Sequence, residues 1–160
     1  MQTALDLENP HCGYAPQDAA IIAEARAVLR RYMIHRPQIT SFTTAKDYLR
    51  TAFAGEKQEV FRVLYLDIKN RLIEDHLAGR GTVNHTPVYP RELIRRALEV
   101  GASAMILAHN HPSGDLTPSH ADIVMTRKIL DVAKPFDIAV HDHFIVAGDE
   151  IGSMRSAGLM

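Results

Sequence analysis

Ala104-Met105-Ile106-Leu107-Ala108-His109-Asn110-His111-Pro112-Ser113-Gly114 decides how this chain folds. Its first half is a nearly all-apolar run. Such a run suits a strand buried on both faces, as in the centre of an α/β sheet. Its second half places two histidines two residues apart as the run ends. In an extended strand, residues i and i+2 point to the same side, so both imidazoles can converge on one point. Pro112, Gly114 and Pro118 mark a loop. Asp122 lies beyond that loop and can fold back to the same point. Two imidazoles and one carboxylate make three ligands and leave a fourth position open. That is the pattern of a catalytic zinc site, since structural sites usually close all four positions with protein.

Working outward, residues 90–100 read as a helix. Pro90 stands near its first position, Leu93, Ile94, Ala97, Leu98 and Val100 form its buried face, and Gly101 stops it. Residues 60–67 (Val-Phe-Arg-Val-Leu-Tyr-Leu-Asp) read as a strand, Lys69-Asn70 as a turn and 71–78 as the returning strand of a hairpin. Residues 82–88 extend the sheet in this reading. Thr43 or Thr44 caps a helix that runs to Ala54 and stops at Gly55. A further helix covers about 118–133, and Ile138-Ala139-Val140 and Phe144-Ile145-Val146 are two final strand pieces. Toward the N-terminus, 17–33 reads as an amphipathic helix ending at Arg30-Arg31, and 1–16 as an arm without periodicity. The order, strands mixed with helices, implies a three-layer α/β/α arrangement around one mixed sheet. Two parts are expected: an N-terminal arm and helix over 1–40, and a metal-binding domain over 41–160. The metal loop then lies at the C-terminal end of a central strand, where open α/β sheets place their sites.

The chain has 160 residues, 46% of them hydrophobic and 23% charged, with a formal net charge of -1. That balance argues against a strongly electrostatic nucleic-acid binder. No apolar run approaches the ~20 residues that span a membrane. Met1-Gln2-Thr3-Ala4-Leu5-Asp6 has no basic region followed by an apolar one, so no secretory leader is expected. Cys12 is the single cysteine, which excludes an intramolecular disulfide and fits a reducing, cytoplasmic setting.

Several motifs carry competing readings. Ser119-x-x-Asp122 has the form of a helix capping pair. Thr117-Pro118 offers a better helix start, with Thr at the cap and Pro at the first helical position. His141-Asp142-His143 repeats the His-x-His spacing. It reads first as polar residues at a strand end, with a rival metal site, or groups that orient the metal ligands, as alternatives. Arg91, Arg95 and Arg96 form a small basic cluster on one helix, read as a solvated face. Hydrolysis at a metal also needs a carboxylate to accept a proton from the attacking water. Glu59, at the start of the strand 60–67, is the candidate, with Glu56 the solvated neighbour.

Glu59-Val60-Phe61, His109-Asn110-His111-Pro112-Ser113-Gly114 and Ser119-x-x-Asp122 together resemble the JAMM signature: an upstream glutamate, then His-x-His-Pro, then Ser-x-x-Asp. The chain is similar to the RadC-like branch of the JAB/MPN superfamily over roughly three quarters of its length, from Ser41 onward. Asp67, Asn70-Arg71-Leu72, Pro90-Arg91-Glu92 and Asp142-His143-Phe144-Ile145-Val146 belong to the match as well. The resemblance implies a deaminase-like α/β/α fold and one zinc ion held by His109, His111 and Asp122. It implies Glu59 as general base and Ser119 as the residue that steadies the water and the oxyanion. About forty residues precede the match, fewer than the helix-hairpin-helix region of longer members needs, so no DNA-contacting role from that region is expected.

Two functions follow as expectations. One is a zinc metallohydrolase acting on a peptide or protein substrate, a peptidase or isopeptidase. The other is a non-catalytic, DNA-metabolism-associated binding module, for which the arginine cluster is the support. A zinc deaminase is a third, minor option, and its Pro-Cys-x-x-Cys ligand pair is missing from a chain with one cysteine.

Overall fold

The computed structural model describes residues 36–81 and 88–160, together with Asp18, Ala20, Ile21 and Glu24. The chain divides into two compact units, Met1–Arg36 and Pro37–Met160. Asp18, Ala20, Ile21 and Glu24 of the first unit are helical, at positions inside the helix expected over 17–33. The rest of that helix, the arm over 1–16 with Cys12, and the sheet extension over 82–87 lie outside the described residues.

The second unit is built on a five-stranded mixed sheet. Its strands are β1 (Val60–Leu66), β2 (Leu72–Arg80), β3 (Ala104–Asn110), β4 (Ala139–Ala147) and β5 (Glu150–Ser153), in spatial order β2-β1-β3-β4-β5. β3 pairs antiparallel with β1 and parallel with β4, and all seven of its residues are buried. It is the central strand that its apolar run predicts. The remaining elements are α1 (Phe42–Ala52), α2 (Pro90–Val100), α3 (His120–Ala133) and a short 3-10 turn, Lys134–Phe136.

Alternation along the strands sends side chains into two cores, one on each face of the sheet. Val60, Leu64, Leu66, Ala104, Ile106 and Ala108 meet Ala45, Leu49 and Phe53 from α1 and the turn after it. Phe61, Val63, Tyr65, Met105 and Leu107 meet Leu93, Ile94 and Ala97 of α2 and Ile129 and Ala133 of α3. This is the three-layer arrangement. His109 has the parity of Met105 and Leu107, so the site belongs to the α2/α3 face.

Five local expectations are corrected. Leu98 is exposed, so the buried face of α2 is Leu93, Ile94 and Ala97. Ser41, not Thr43 or Thr44, caps α1; its hydroxyl accepts from the Thr44 amide and the Thr44 side chain returns to the Ser41 amide. Ser119, not Thr117-Pro118, caps α3. In both cases a reciprocal capping box satisfies two orphan donors where a simple cap satisfies one. The two final strand pieces are one continuous strand, β4, so His141-Asp142-His143 lies inside a strand rather than at its end. Val88 is buried but lies in no strand.

Candidate metal centre

The end of β3 delivers His109, and the residue after Asn110 delivers His111. Their Nε2 atoms lie 2.9 Å apart. Asp122 enters from the first turn of α3, with Oδ1 3.4 Å from His109 Nε2 and Oδ2 3.6 Å from His111 Nε2. His109, His111 and Asp122 are the one cluster of three or more metal-ligating side chains among the described residues. A tetrahedral ion with bonds of ~2.1 Å has ligand-to-ligand edges of about 3.4 Å, close to these separations.

The two competing readings of Asp122 turn out to be compatible. Its Oδ2 accepts from the Ser119 amide at 2.7 Å, closing the capping box. That bond anchors the carboxylate at the helix N-terminus while leaving it within reach of both imidazoles. His111 is held at its other nitrogen, 2.6 Å from the Asp115 carbonyl. A carbonyl only accepts, so Nδ1 carries the proton and Nε2 offers a lone pair to the cluster.

The electrostatics favour positive charge at this point. Burial raises the Asp122 carboxyl, but the facing His109 and His111 rings, with the Ser119 cap, outweigh it and hold the group well below the usual carboxylate range. The Asp122 carboxylate raises His111 against the effect of burial, with the Asp115 carbonyl and Glu59 adding to the shift. A site that draws a proton onto an imidazole between two acceptors also attracts a cation. With two imidazole nitrogens, one carboxylate and spacing near a tetrahedral edge, the donor set fits a divalent metal.

A family model described as the RadC-like JAB domain matches residues 39–159. This chain belongs to the RadC-like JAB family. A UPF0758 protein of Rhodobacter capsulatus is 49% identical over 138 residues, which cover 86% of this chain and 64% of that protein. The chain thus spans just under two thirds of the length of that curated relative.

In this RadC-like domain Glu59 stands close to the cluster. β1 and β3 pair Phe61 with His109 at the last rung of their ladder, and Glu59, two residues before Phe61, adds to the shift of the His111 ring. Glu59 is half-buried and lines a cavity of about 460 Å³ with Lys57, Gly81, His111 and Ser113. Its backbone is fixed on both flanks by one side chain that sequence reasoning passed over. Asn110 Oδ1 accepts from the Val60 amide at 2.8 Å, and Asn110 Nδ2 donates to the Gln58 carbonyl at 2.9 Å. The Gly81 amide holds the Glu59 carbonyl at 2.8 Å. Ser119 is exposed at the mouth of α3, with its hydroxyl oxygen accepting from the Asp122 amide at 3.2 Å.

Two more residues meet the cluster: Phe61, to which the sequence assigns no role, and His143, for which orienting a metal ligand is one of the alternatives the sequence leaves open. Phe61 stacks on His109 at 6.0 Å between ring centres and meets His143 edge-on at 5.3 Å. His143 is fully buried, with Nε2 2.8 Å from His109 Nδ1. Its presence on this face depends on a bulge. β3 and β4 pair Met105 with Val140 and then Ile106 with Asp142, leaving His141 as the extra residue. The extra residue reverses the alternation and re-aims His143 toward the site. Arg155 braces the bulge by donating to the Val140 and His141 carbonyls.

The arginine cluster is committed elsewhere. Arg95 pairs with Glu92 and Glu99, and Arg96 with Glu74 and Glu99. Arg91 and Arg95 are exposed, and Arg91 too lies near Glu92. Among the described residues, no helix is long and apolar enough to cross a membrane.

Proposed function

We propose that this RadC-like domain is a zinc-dependent hydrolase of peptide or isopeptide bonds. The observation that carries the reading is the convergence of His109, His111 and Asp122 beside a cavity lined by Glu59. When bound, zinc supplies polarisation of the scissile carbonyl and acidifies the attacking water. Glu59 takes the proton of that water and returns it to the leaving amine. The Ser119 hydroxyl acts in its capping role only as an acceptor, so its own proton is directed to the developing oxyanion. The cavity beside His111, with Pro112 and Gly81 in its lining, is where the substrate would lie. The single cysteine supports a reducing, cytoplasmic setting.

The alternative, a DNA-metabolism binding module without catalysis, has less support. Its arginines are largely neutralised by glutamates, and the net charge is -1.

Metal analysis and a cleavage screen test the proposal together. Protein purified without chelator is expected to carry about one zinc per chain. Zinc-loaded protein is expected to cleave a member of a panel of peptides and ubiquitin-like conjugates, and Glu59→Gln to keep the metal while losing that cleavage. Protein that binds no zinc, or cleavage that survives Glu59→Gln, overturns the reading. Iron in place of zinc would also overturn it, because two histidines and one carboxylate are equally a ligand set for non-haem iron.

A further inference from the structure

Behind the ligand cluster runs a buried chain of hydrogen bonds whose direction can be worked out. Thr126 Oγ1 lies 2.6 Å from the Asp122 carbonyl oxygen. A carbonyl only accepts, so the one hydroxyl proton of Thr126 goes there. The Met154 thioether, 3.7 Å away, is too weak an acceptor to compete. The Thr126 oxygen is therefore an acceptor toward His143 Nδ1, at 2.6 Å, and that nitrogen carries a proton. His143 is fully buried, and neither of its ring nitrogens touches a carboxylate. A neutral ring with its proton on Nδ1 presents a lone pair on Nε2. The atom facing that lone pair is His109 Nδ1, 2.8 Å away, which must donate. His109 is then left with a bare Nε2, the atom aimed at His111 and Asp122.

We propose that His143 and Thr126 are positioning residues that hold His109 in the one tautomer able to bind a metal through Nε2. The proposal rests on the reading of His109 as a ligand and deepens it. The chain starts at the backbone of one ligand, Asp122 on α3, and ends on the ring of another, His109 on β3. Two ligands from different elements are thereby tied to a third element, β4, before any ion arrives. The bulge at His141 is what makes this geometry available, because an unbulged β4 would turn His143 to the α1 face. Outer hydrogen bonds of this kind fix the orientation and tautomer of ligating histidines. Phe61, stacked on His109 and edge-on to His143, keeps the pair dry.

Nitrogen-15 spectroscopy of the metal-free wild type at mildly alkaline pH reads the tautomer directly and needs no variant to fold. His109 is expected to carry its proton on Nδ1. Thr126→Val removes the acceptor and frees His143 to invert, which pushes His109 toward the Nε2-protonated form. Zinc affinity, measured by competition with a chelator, is expected to fall by about 10–100-fold in Thr126→Val. Thr126→Ser is expected to restore both tautomer and affinity. An Nε2-protonated His109 in the wild type overturns the proposal, as does wild-type affinity in Thr126→Val. Equal losses in Thr126→Ser and Thr126→Val would reduce Thr126 to packing and overturn it too. A wild type that shows the Nδ1 proton yet binds no zinc supports the relay and removes the hydrolase reading instead.

Discussion

His109-Asn110-His111 and His141-Asp142-His143 share one spacing and meet opposite fates. The first pair leaves a regular ladder, so both rings stay on one face and bring their Nε2 atoms to 2.9 Å. The second pair straddles a bulge. His143 turns to the site, whereas His141 bonds Asn70 Oδ1 at 2.8 Å and lines a separate cavity beside α1. The middle residues diverge as well. Asn110 clamps the strand that carries Glu59, while Asp142 accepts from the His143 amide, Ser153 Oγ and the Arg155 amide to fasten the chain after β5 to the bulge. Spacing of i and i+2 therefore signals convergence only where the ladder is unbroken. A bulge converts the same three-letter pattern into one supporting residue and one bystander.

The largest contrast is expected between His109→Ala and His141→Ala. Removing His109 takes one of the three proposed ligands and opens a cavity against Phe61 and His143. Zinc content should drop from about one per chain to none that survives gel filtration, with cleavage lost in step. His141→Ala should retain the metal and the activity. Elemental analysis of the two purified variants checks both, and equal metal loss would erase the distinction between the pairs.

Asn110→Ala sharpens the comparison at the next level. It keeps all three proposed ligands but releases the Val60 amide and the Gln58 carbonyl on either side of Glu59. Misplacement of a general base by about an ångström costs on the order of 100-fold in rate. Leaving the buried Val60 amide without a partner costs about 1–3 kcal/mol of stability. Steady-state kinetics on the zinc-loaded variant should show kcat falling with zinc stoichiometry unchanged. A variant that loses metal as readily as activity would mean that Asn110 supports the ligands rather than the base.

The two pairs also mark where sequence stops being legible. The apolar run before His109, the proline at the start of α2 and the left-handed glycine at its end, Gly101 with φ 67°, are local signals, and each was read correctly. So was the turn at Asn70, whose φ of 57° suits asparagine. The convergence of His109, His111 and Asp122 was legible because His-x-His at a strand end and an acid in the next helix's first turn are short local patterns. What failed depended on partners far along the chain. Polar His141-Asp142-His143 looked like a strand end because nothing local reveals that Arg155 and Ser153 satisfy the groups a bulge exposes. The cap of α3 was misassigned because Thr117-Pro118 scores well alone, whereas Ser119 wins through the returning carboxylate of Asp122. The clamp by Asn110 needed the antiparallel register of β1 on β3, which a single strand does not encode.

Asp142→Ala is expected to act on stability more than on the metal. It strips an acceptor from the His143 amide, Ser153 Oγ and the Arg155 amide, two of them at 2.7 Å or less. A loss of about 2 kcal/mol follows from hydrogen bonds to a charged, half-buried group. Denaturant unfolding measures it, and zinc affinity should fall less than in Thr126→Val, because Arg155 still holds the bulge carbonyls. The reverse ranking would place the anchor of the bulge at Asp142 instead of Arg155.

The smallest effect belongs to His141→Gln, and its sign depends on pH. At neutral pH the loss of the bond to Asn70 should cost about 0.5–1.5 kcal/mol. Burial, with Arg155 adding to it, lowers the pKa of His141 below the ordinary 6.5. The unfolded chain therefore binds a proton that the folded chain resists, and wild-type stability falls as pH drops through about 6.5 toward the lower folded value. Glutamine has no such proton to bind. The stability deficit of His141→Gln should shrink on acidification, and the difference between the two proteins isolates His141 because His143 titrates in both. Urea midpoints compared at pH values above and below 6.5 test it. A deficit that widens in acid would mean that His141 gains a proton on folding, and the bystander of the second pair would then be a charged partner of some group on the α1 face.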